Sequence, residues 1–211
     1  ASRVRNLAAD GDPGVFERVA ELWDLDSLQL THTLEALRTA LSPNPHWSPV
    51  FSRDERWLFA AAGPVIRQWD VATGERQRLW HARDRQSDLV MGPKDTAVYA
   101  VVIRPEQSYA WAAIHSIMSW DAITGDQTAA PGHKSVHMRG FSLSADEQLA
   151  LVRHRGGSAG LWDLASGTRL GFDSRYVTPT WGTLADEGRY FVAVDPGYTS
   201  WEIPSGETRD L

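Results

Sequence analysis

A Trp-acid pair that returns five times constrains this chain more than any other feature. The pairs are Trp23-Asp24, Trp69-Asp70, Trp120-Asp121, Trp162-Asp163 and Trp201-Glu202, set 46, 51, 42 and 39 residues apart. Self-similarity at a period of roughly 20 to 50 residues marks solenoids, propellers and arrays, in which one supersecondary unit is copied and stacked. A second signal keeps step with the first. Polar turns "SRDE" with Asp54, "GPKD" with Asp95, "SADE" with Asp146 and "LADE" with Asp186 precede four of the tryptophans by 15, 25, 16 and 15 residues.

The punctuation of each period dictates its local structure. The segments "WLFAAAG", "TAVYAVV", "QLALVRH" and "RYFVAVD" are short, bounded by turn residues and rich in aromatic and β-branched side chains, which predicts strands rather than helices. After the Trp-acid pairs, Thr73-Gly74, Thr124-Gly125, Ser166-Gly167 and Ser205-Gly206 place a Gly where a tight hairpin needs positive φ. Each period therefore reads as four short antiparallel strands, a to d, with the Trp-acid pair closing strand c. A single such sheet cannot bury both faces. Copies stacked around an axis can, and the near-continuous apolar runs suit that arrangement better than a sheet with one wet face.

With the period, the Trp-Asp endings, the Phe51-Ser52-x-Asp54 turn and the Gly132-His133 pair 29 residues before Trp162, the chain resembles WD40-repeat proteins over nearly its whole length. The resemblance implies an all-β, WD40-like β-propeller domain over residues 1–211. It would hold a partial N-terminal blade at 1–35 and four complete four-stranded blades at about 45–82, 88–132, 135–171 and 177–211. WD40 blades often carry a hydrogen-bonded set built from the His of Gly-His, a Ser or Thr, an Asp in the b–c turn and the Trp. Here His133 lacks its Asp, Asp195 lacks its Gly-His, and His46 and His81 lack their Gly. The blades are expected to rely more on apolar packing than on that network.

The segments of residues 1–35 map onto strands b, c and d of a blade without strand a. A seven-bladed ring at this period needs roughly 310 residues, so the chain is either a small ring or an arc of a larger one. The opening in mid-blade, without an initiator Met, favours the arc, and another polypeptide or another segment of the parent protein is expected to cover the exposed blade faces. Between this partial blade and the next, Leu30, Leu34, Leu37 and Leu41 stand at helical spacing. They predict a short helix within residues 28–46, with a strand d and a long loop as the alternative.

A chain with 42% hydrophobic and 23% charged residues can build a core. It shows no apolar run of membrane-spanning length and no leader, so a cytoplasmic location is expected. Cys is absent, which removes disulfides and Cys-based metal sites. A net charge of −6 argues against a nucleic-acid partner, which calls for a basic stripe. Arg outnumbers Lys 19 to 2, a bias expected of a GC-rich, bacterial genome.

Three patterns look catalytic and give way to plainer readings. "GGSAG" around Ser158 matches a nucleophile elbow, which requires a strand, a sharp turn and a helix; here it runs into "LWD" and reads as a blade hairpin. His133 and His137 in "HKSVH" would sit about 13 Å apart in an extended segment, too far to share one zinc ion. Asp10 and Asp12 in "DGDPG" are explained by a turn. No catalytic residue, cofactor or metal is expected.

The surface is then the working part. Rim loops d–a and b–c share one face in WD40-like propellers. The second complete blade departs most there, with about ten additional residues in "IRPEQSYAWAAIHS". Arg104, Tyr109 and Trp111 in that loop are the first candidates for partner contact, because Arg and aromatic residues dominate binding hot spots. Arg83, Arg85, Arg153, Arg155, Arg175 and Tyr176 are expected near the same rim. The resemblance implies a non-catalytic protein-interaction, scaffold or sensor module that binds a protein or peptide. A propeller-bodied enzyme with a site in the central channel is the alternative, disfavoured because "WSPVFS", "DLVMGP", "HMRGFSL" and "TPTWGTL" offer mainly Ser, Thr and apolar residues.

Overall fold

Every predicted apolar run that lies between a polar turn and a Trp-acid pair forms a strand in the computed structural model. The structure describes residues 2–3, 16–34, 37–39, 49–62, 64–82, 84–104, 114–129, 135–136, 138–154, 159–173, 181–185, 190–194, 198–202 and 208–210; after residue 170 it describes the backbone alone. Among these residues there are strands and no helices, gathered into five antiparallel sheets.

The first sheet comprises β1 (Ser2–Arg3), β2 (Phe16–Asp24) and β3 (Gln29–Thr33), with β4 (Leu37–Thr39) also paired to β2. The second runs β5 (Val50–Phe51), β6 (Trp57–Ala62), β7 (Val65–Asp70), β8 (Arg76–His81). The third contains β9 (Arg85–Met91), β10 (Ala97–Arg104), β11 (Ile114–Asp121) and β12 (Gln127–Ala129), and β13 (Ser135–Val136) pairs with β11 beyond β12. The fourth is β14 (Met138–Leu143), β15 (Leu149–His154), β16 (Ala159–Asp163), β17 (Arg169–Asp173), and the fifth is β18 (Trp181–Ala185), β19 (Tyr190–Val194), β20 (Tyr198–Glu202), β21 (Thr208–Asp210). In sheets two to five the spatial order follows the sequence order, and every Trp-acid pair closes the third strand. In the first sheet Ser2 faces Ala20 across the β1–β2 ladder.

The helix expected within residues 28–46 is absent from the described part. Gln29–Thr33 and Leu37–Thr39 are strands instead. Thr31 and Thr33 favour extended backbone, and the Thr31 hydroxyl donates to the Leu22 carbonyl at 2.9 Å. The leucines do not form one apolar face either: Leu30 is exposed whereas Leu34 is buried. Leu41 lies outside the described residues.

The chain divides into two compact units, residues 1–89 and 90–211. In the first, the core joins Leu22 and Leu34 to Leu58, Ala60 and Trp69 of the second sheet. In the second, Tyr99, Val101 and Ile117 of the third sheet pack on Met138, Phe141, Ala150, Val152 and Leu164 of the fourth. Side chains from both facing sheets fill each core, so strands such as Val98–Val102 are buried on both faces. The apolar runs are continuous in sequence for that reason.

Candidate interaction surface

Two kinds of turn hold the sheets, and each has a chemical reason for its sequence. In the a–b turns, Ser52 Oγ donates to Asp54 Oδ1 at 2.5 Å and accepts the Trp57 amide at 2.9 Å, while the Arg56 amide donates to Asp54 Oδ1 at 3.1 Å. Ser144, Asp146, Gln148 and Leu149 repeat this arrangement at 2.5, 2.9 and 3.1 Å. The residue after each Asp, Glu55 or Glu147, takes positive φ. In the third sheet's turn it is Asp95 that does so. Gly92 replaces the Ser there, and its amide donates to Ala97 O at 2.8 Å.

In the c–d turns, the acid of the Trp-Asp pair is the organiser. Asp70 Oδ1 accepts the amides of Ala72 and Thr73, Asp121 Oδ1 those of Ile123 and Thr124, and Asp163 Oδ1 that of Ser166. Gly74, Gly125 and Gly167 follow at φ of 68–78°. The bonds to Ser166 hold Asp163 below the usual carboxylate range. The Ser27 amide and hydroxyl do the same for Asp24, and the hydroxyls of Ser52 and Ser144 for Asp54 and Asp146.

The tryptophans pack unequally. Trp69 and Trp120 are buried, Trp162 is half-buried, and Trp23 is 40% exposed. The Trp69 indole Nε1–H has no acceptor among the described residues, and His46, His133 and Asp195 of the expected hydrogen-bonded set lie outside them. Trp201 and Glu202 lie in β20, where only the backbone is described.

Around Trp23 the first sheet departs from its sister repeats. The residue opposite the tryptophan is Arg76 for Trp69, Gln127 for Trp120 and Arg169 for Trp162, but Leu30 for Trp23. Leu28 takes φ of 55° where the other turns place Gly, a conformation that costs a branched L-residue about 1–2 kcal/mol. Leu25 and Leu28 are 79% and 74% exposed, and Leu30 and Phe51 are each 44% exposed.

Trp23, Leu25 and Phe51 border a cavity of about 760 Å³ between the first two sheets, whose polar wall includes Asp24, His32, Ser52, Arg53 and Glu55. His32 fixes one side. Its Nε2 lies 3.0 Å from the Ala72 carbonyl, which can only accept, so that nitrogen carries the hydrogen. A Cβ on Gly74 would stand 2.7 Å from the His32 ring. Trp23 is tethered by its indole Nε1, which donates to the buried Glu21 carboxylate at 3.3 Å.

The rim residues named from the sequence are placed as follows. Arg104 ends β10. Arg153 lies half-buried in β15, its guanidinium against Gly140, where a Cβ would come within 2.8 Å of Nη2. Arg85 opens β9. Arg83, Tyr109, Trp111, Arg155, Arg175 and Tyr176 lie outside the described residues, as do His133, His137, Ser158, Asp10, Asp12, His46 and Asp195. Gly160 of the "GGSAG" pattern enters strand β16, not a helix. Composition directs attention to the long loop and away from the Trp23 patch. The signal for the patch is nonetheless in the aligned repeats, as Leu28 in place of Gly and Leu30 in place of Arg or Gln.

No family model and no curated protein matches this chain. Among the described residues no helix is long and apolar enough to cross a membrane.

Proposed function

We propose that this chain is a non-catalytic protein-interaction module of the WD40-repeat type, working in the cytoplasm, whose sheets are the blades of a β-propeller. Its five antiparallel sheets, with one c–d turn design recurring in the second to fourth and one a–b design in the second and fourth, support that reading. The observation that carries the interaction role is that exposed Trp23, Leu25 and Phe51 border the cavity, with Leu28 and Leu30 exposed in the same hairpin as Trp23. Contiguous exposed apolar surface rimmed by polar groups marks a protein-binding site, and aromatic residues contribute most to binding at such sites. The partner is a protein or peptide.

A photo-crosslinking residue placed at position 30 in the source cells tests this reading. A discrete crosslinked polypeptide in a single mass class is the expected result. Crosslinks spread over abundant proteins, or none above the level of the same probe at exposed Thr73, would overturn it.

A further inference from the structure

The cavity between the first two sheets carries an inference about the chemistry of its occupant, resting on the reading of this surface as a docking site. Its apolar part comes first. Trp23 and Phe51, 40% and 44% exposed, stand at its border, and the less exposed Leu22 and Val71 also line it. At about 760 Å³ it falls within the range of about 300–1,000 Å³ in which ligands seat. Two of its walls are held in place by hydrogen bonds of their own. The Trp23 indole is tethered to Glu21 at 3.3 Å, and His32 is held to the Ala72 carbonyl at 3.0 Å. A ring already fixed loses little freedom when a partner covers it.

The charges around this apolar surface are mostly of one sign. Asp24, Asp26 and Glu55 are lining carboxylates, and Arg53 is the one lining Lys or Arg among the described residues. All four are exposed. Asp24 Oδ1 accepts the Ser27 amide and hydroxyl at 2.7 and 2.8 Å, bonds that favour its ionised form. Asp26 is peculiar to this turn. In the later repeats the residue two places after the acid is Ala72, Ile123, Ala165 and Pro204, so the turn itself does not require a carboxylate there.

The combination selects among partners. An anionic group meets three carboxylates against one guanidinium and is repelled. A wholly apolar segment covers Trp23 and Phe51 but takes water from the carboxylates without replacing its hydrogen bonds. A cation on an apolar stem suits both parts of the site. Arg suits them better than Lys, because its planar guanidinium stacks on aromatic faces and presents a fork of donors that matches a carboxylate.

We propose that this cavity takes an arginine side chain of the partner polypeptide, flanked there by apolar residues. The guanidinium stacks on Trp23 and its donors meet the rim carboxylates Asp26 and Glu55, while the methylene stem and the flanking residues cover Phe51 and Val71.

The probe is a library of random short peptides displayed on phage and selected on the immobilised full-length chain. Enriched sequences are expected to share an Arg with aliphatic or aromatic neighbours. One of them is then synthesised with a fluorescent label, and again with citrulline, a neutral isostere, in place of Arg. Citrulline is expected to weaken binding about tenfold or more, as for lost hydrogen bonds to charged groups. Asp26→Asn together with Glu55→Gln in the protein is expected to do the same, and to bind the Arg and citrulline peptides nearly alike. Both positions are exposed, and Asp26→Ala, which copies the residue of two sister turns, is a second variant expected to weaken binding in the same direction. Enriched sequences without Arg, no enrichment above phage that display no peptide, or an affinity indifferent to citrulline and to the substitutions would each overturn the proposal. The crosslink at position 30 reads the broader function separately: a crosslinked partner captured equally by the Asp26→Ala protein removes this inference alone.

Discussion

At the scale of single residues, aspartates organise the turns of this chain, which gives a pH dependence of known sign. Asp24, Asp54, Asp146 and Asp163 have carboxyls held below the ordinary value of 3.8 by hydrogen bonds from Ser27, Ser52, Ser144 and Ser166. The stabilisation is present above that ordinary value and is lost as pH falls through the lower folded-state values. Melting temperature is therefore expected to hold through neutral pH and drop below about pH 4. Asp163→Asn keeps an oxygen acceptor but cannot titrate, so it should leave the neutral-pH melt nearly unchanged and flatten part of the acid limb. Trp69 poses a different question. Its indole is buried and its N–H has no acceptor among the described residues, so Trp69→Phe should cost only about 1–2 kcal/mol in urea titrations, against about 3–5 kcal/mol for Trp69→Ala, which leaves a cavity. The Asp and Gly positions of these turns are legible in the sequence because a tight turn demands them at fixed offsets. The burial of Trp69 and the exposure of Trp23 are not, because exposure depends on which sheet lies opposite.

At the scale of elements, strands and hairpins follow from the sequence because their determinants are local: polar turns, a Gly at positive φ and apolar runs of five to eight residues. The segment after Trp23 misleads, since its leucines at helical spacing include Leu30 and Leu37, which lie in strands held by ladder partners. Sheet-to-sheet contacts are invisible in sequence, because Glu147 meets Lys94 and Tyr99 across 53 and 48 residues. Burial, and then the Glu147 carboxylate, raise the pKa of the Tyr99 hydroxyl, which keeps it a donor across the physiological range. Tyr99→Phe is expected to destabilise the second unit by about 1.5–3 kcal/mol, the worth of a hydrogen bond to a charged group. Gly92→Ala, which forces a methyl against Glu147 and the Ala97 carbonyl, should cost about 1–3 kcal/mol. Made together, the two changes should cost less than their sum, because each loosens the same hairpin.

At the scale of the whole molecule, the proposed interaction role is tested on the exposed apolar residues of the first sheet. Leu30→Arg copies what the second and fourth sheets carry opposite their tryptophans. It should leave stability within about 0.5 kcal/mol, as for an exposed position, while reducing both the binding of a hydrophobic dye and the recovery of partner. The five-fold repetition is legible in the sequence, whereas the surface it leaves open has to be read from side-chain placement. The closed a–b turns also imply an order of events in time. Each closes within six residues, through Ser52 with Trp57 and Ser144 with Leu149, and such short loops form in well under a microsecond to a few microseconds. The Lys94–Glu147 bond must wait for two finished hairpins to meet. In pulsed hydrogen exchange during refolding, the amides of Trp57 and Leu149 should gain protection in an early phase and that of Lys94 in a later one. The chain thus assembles as separate hairpin seeds that consolidate by collision, and damage to one seed delays its neighbours without silencing them.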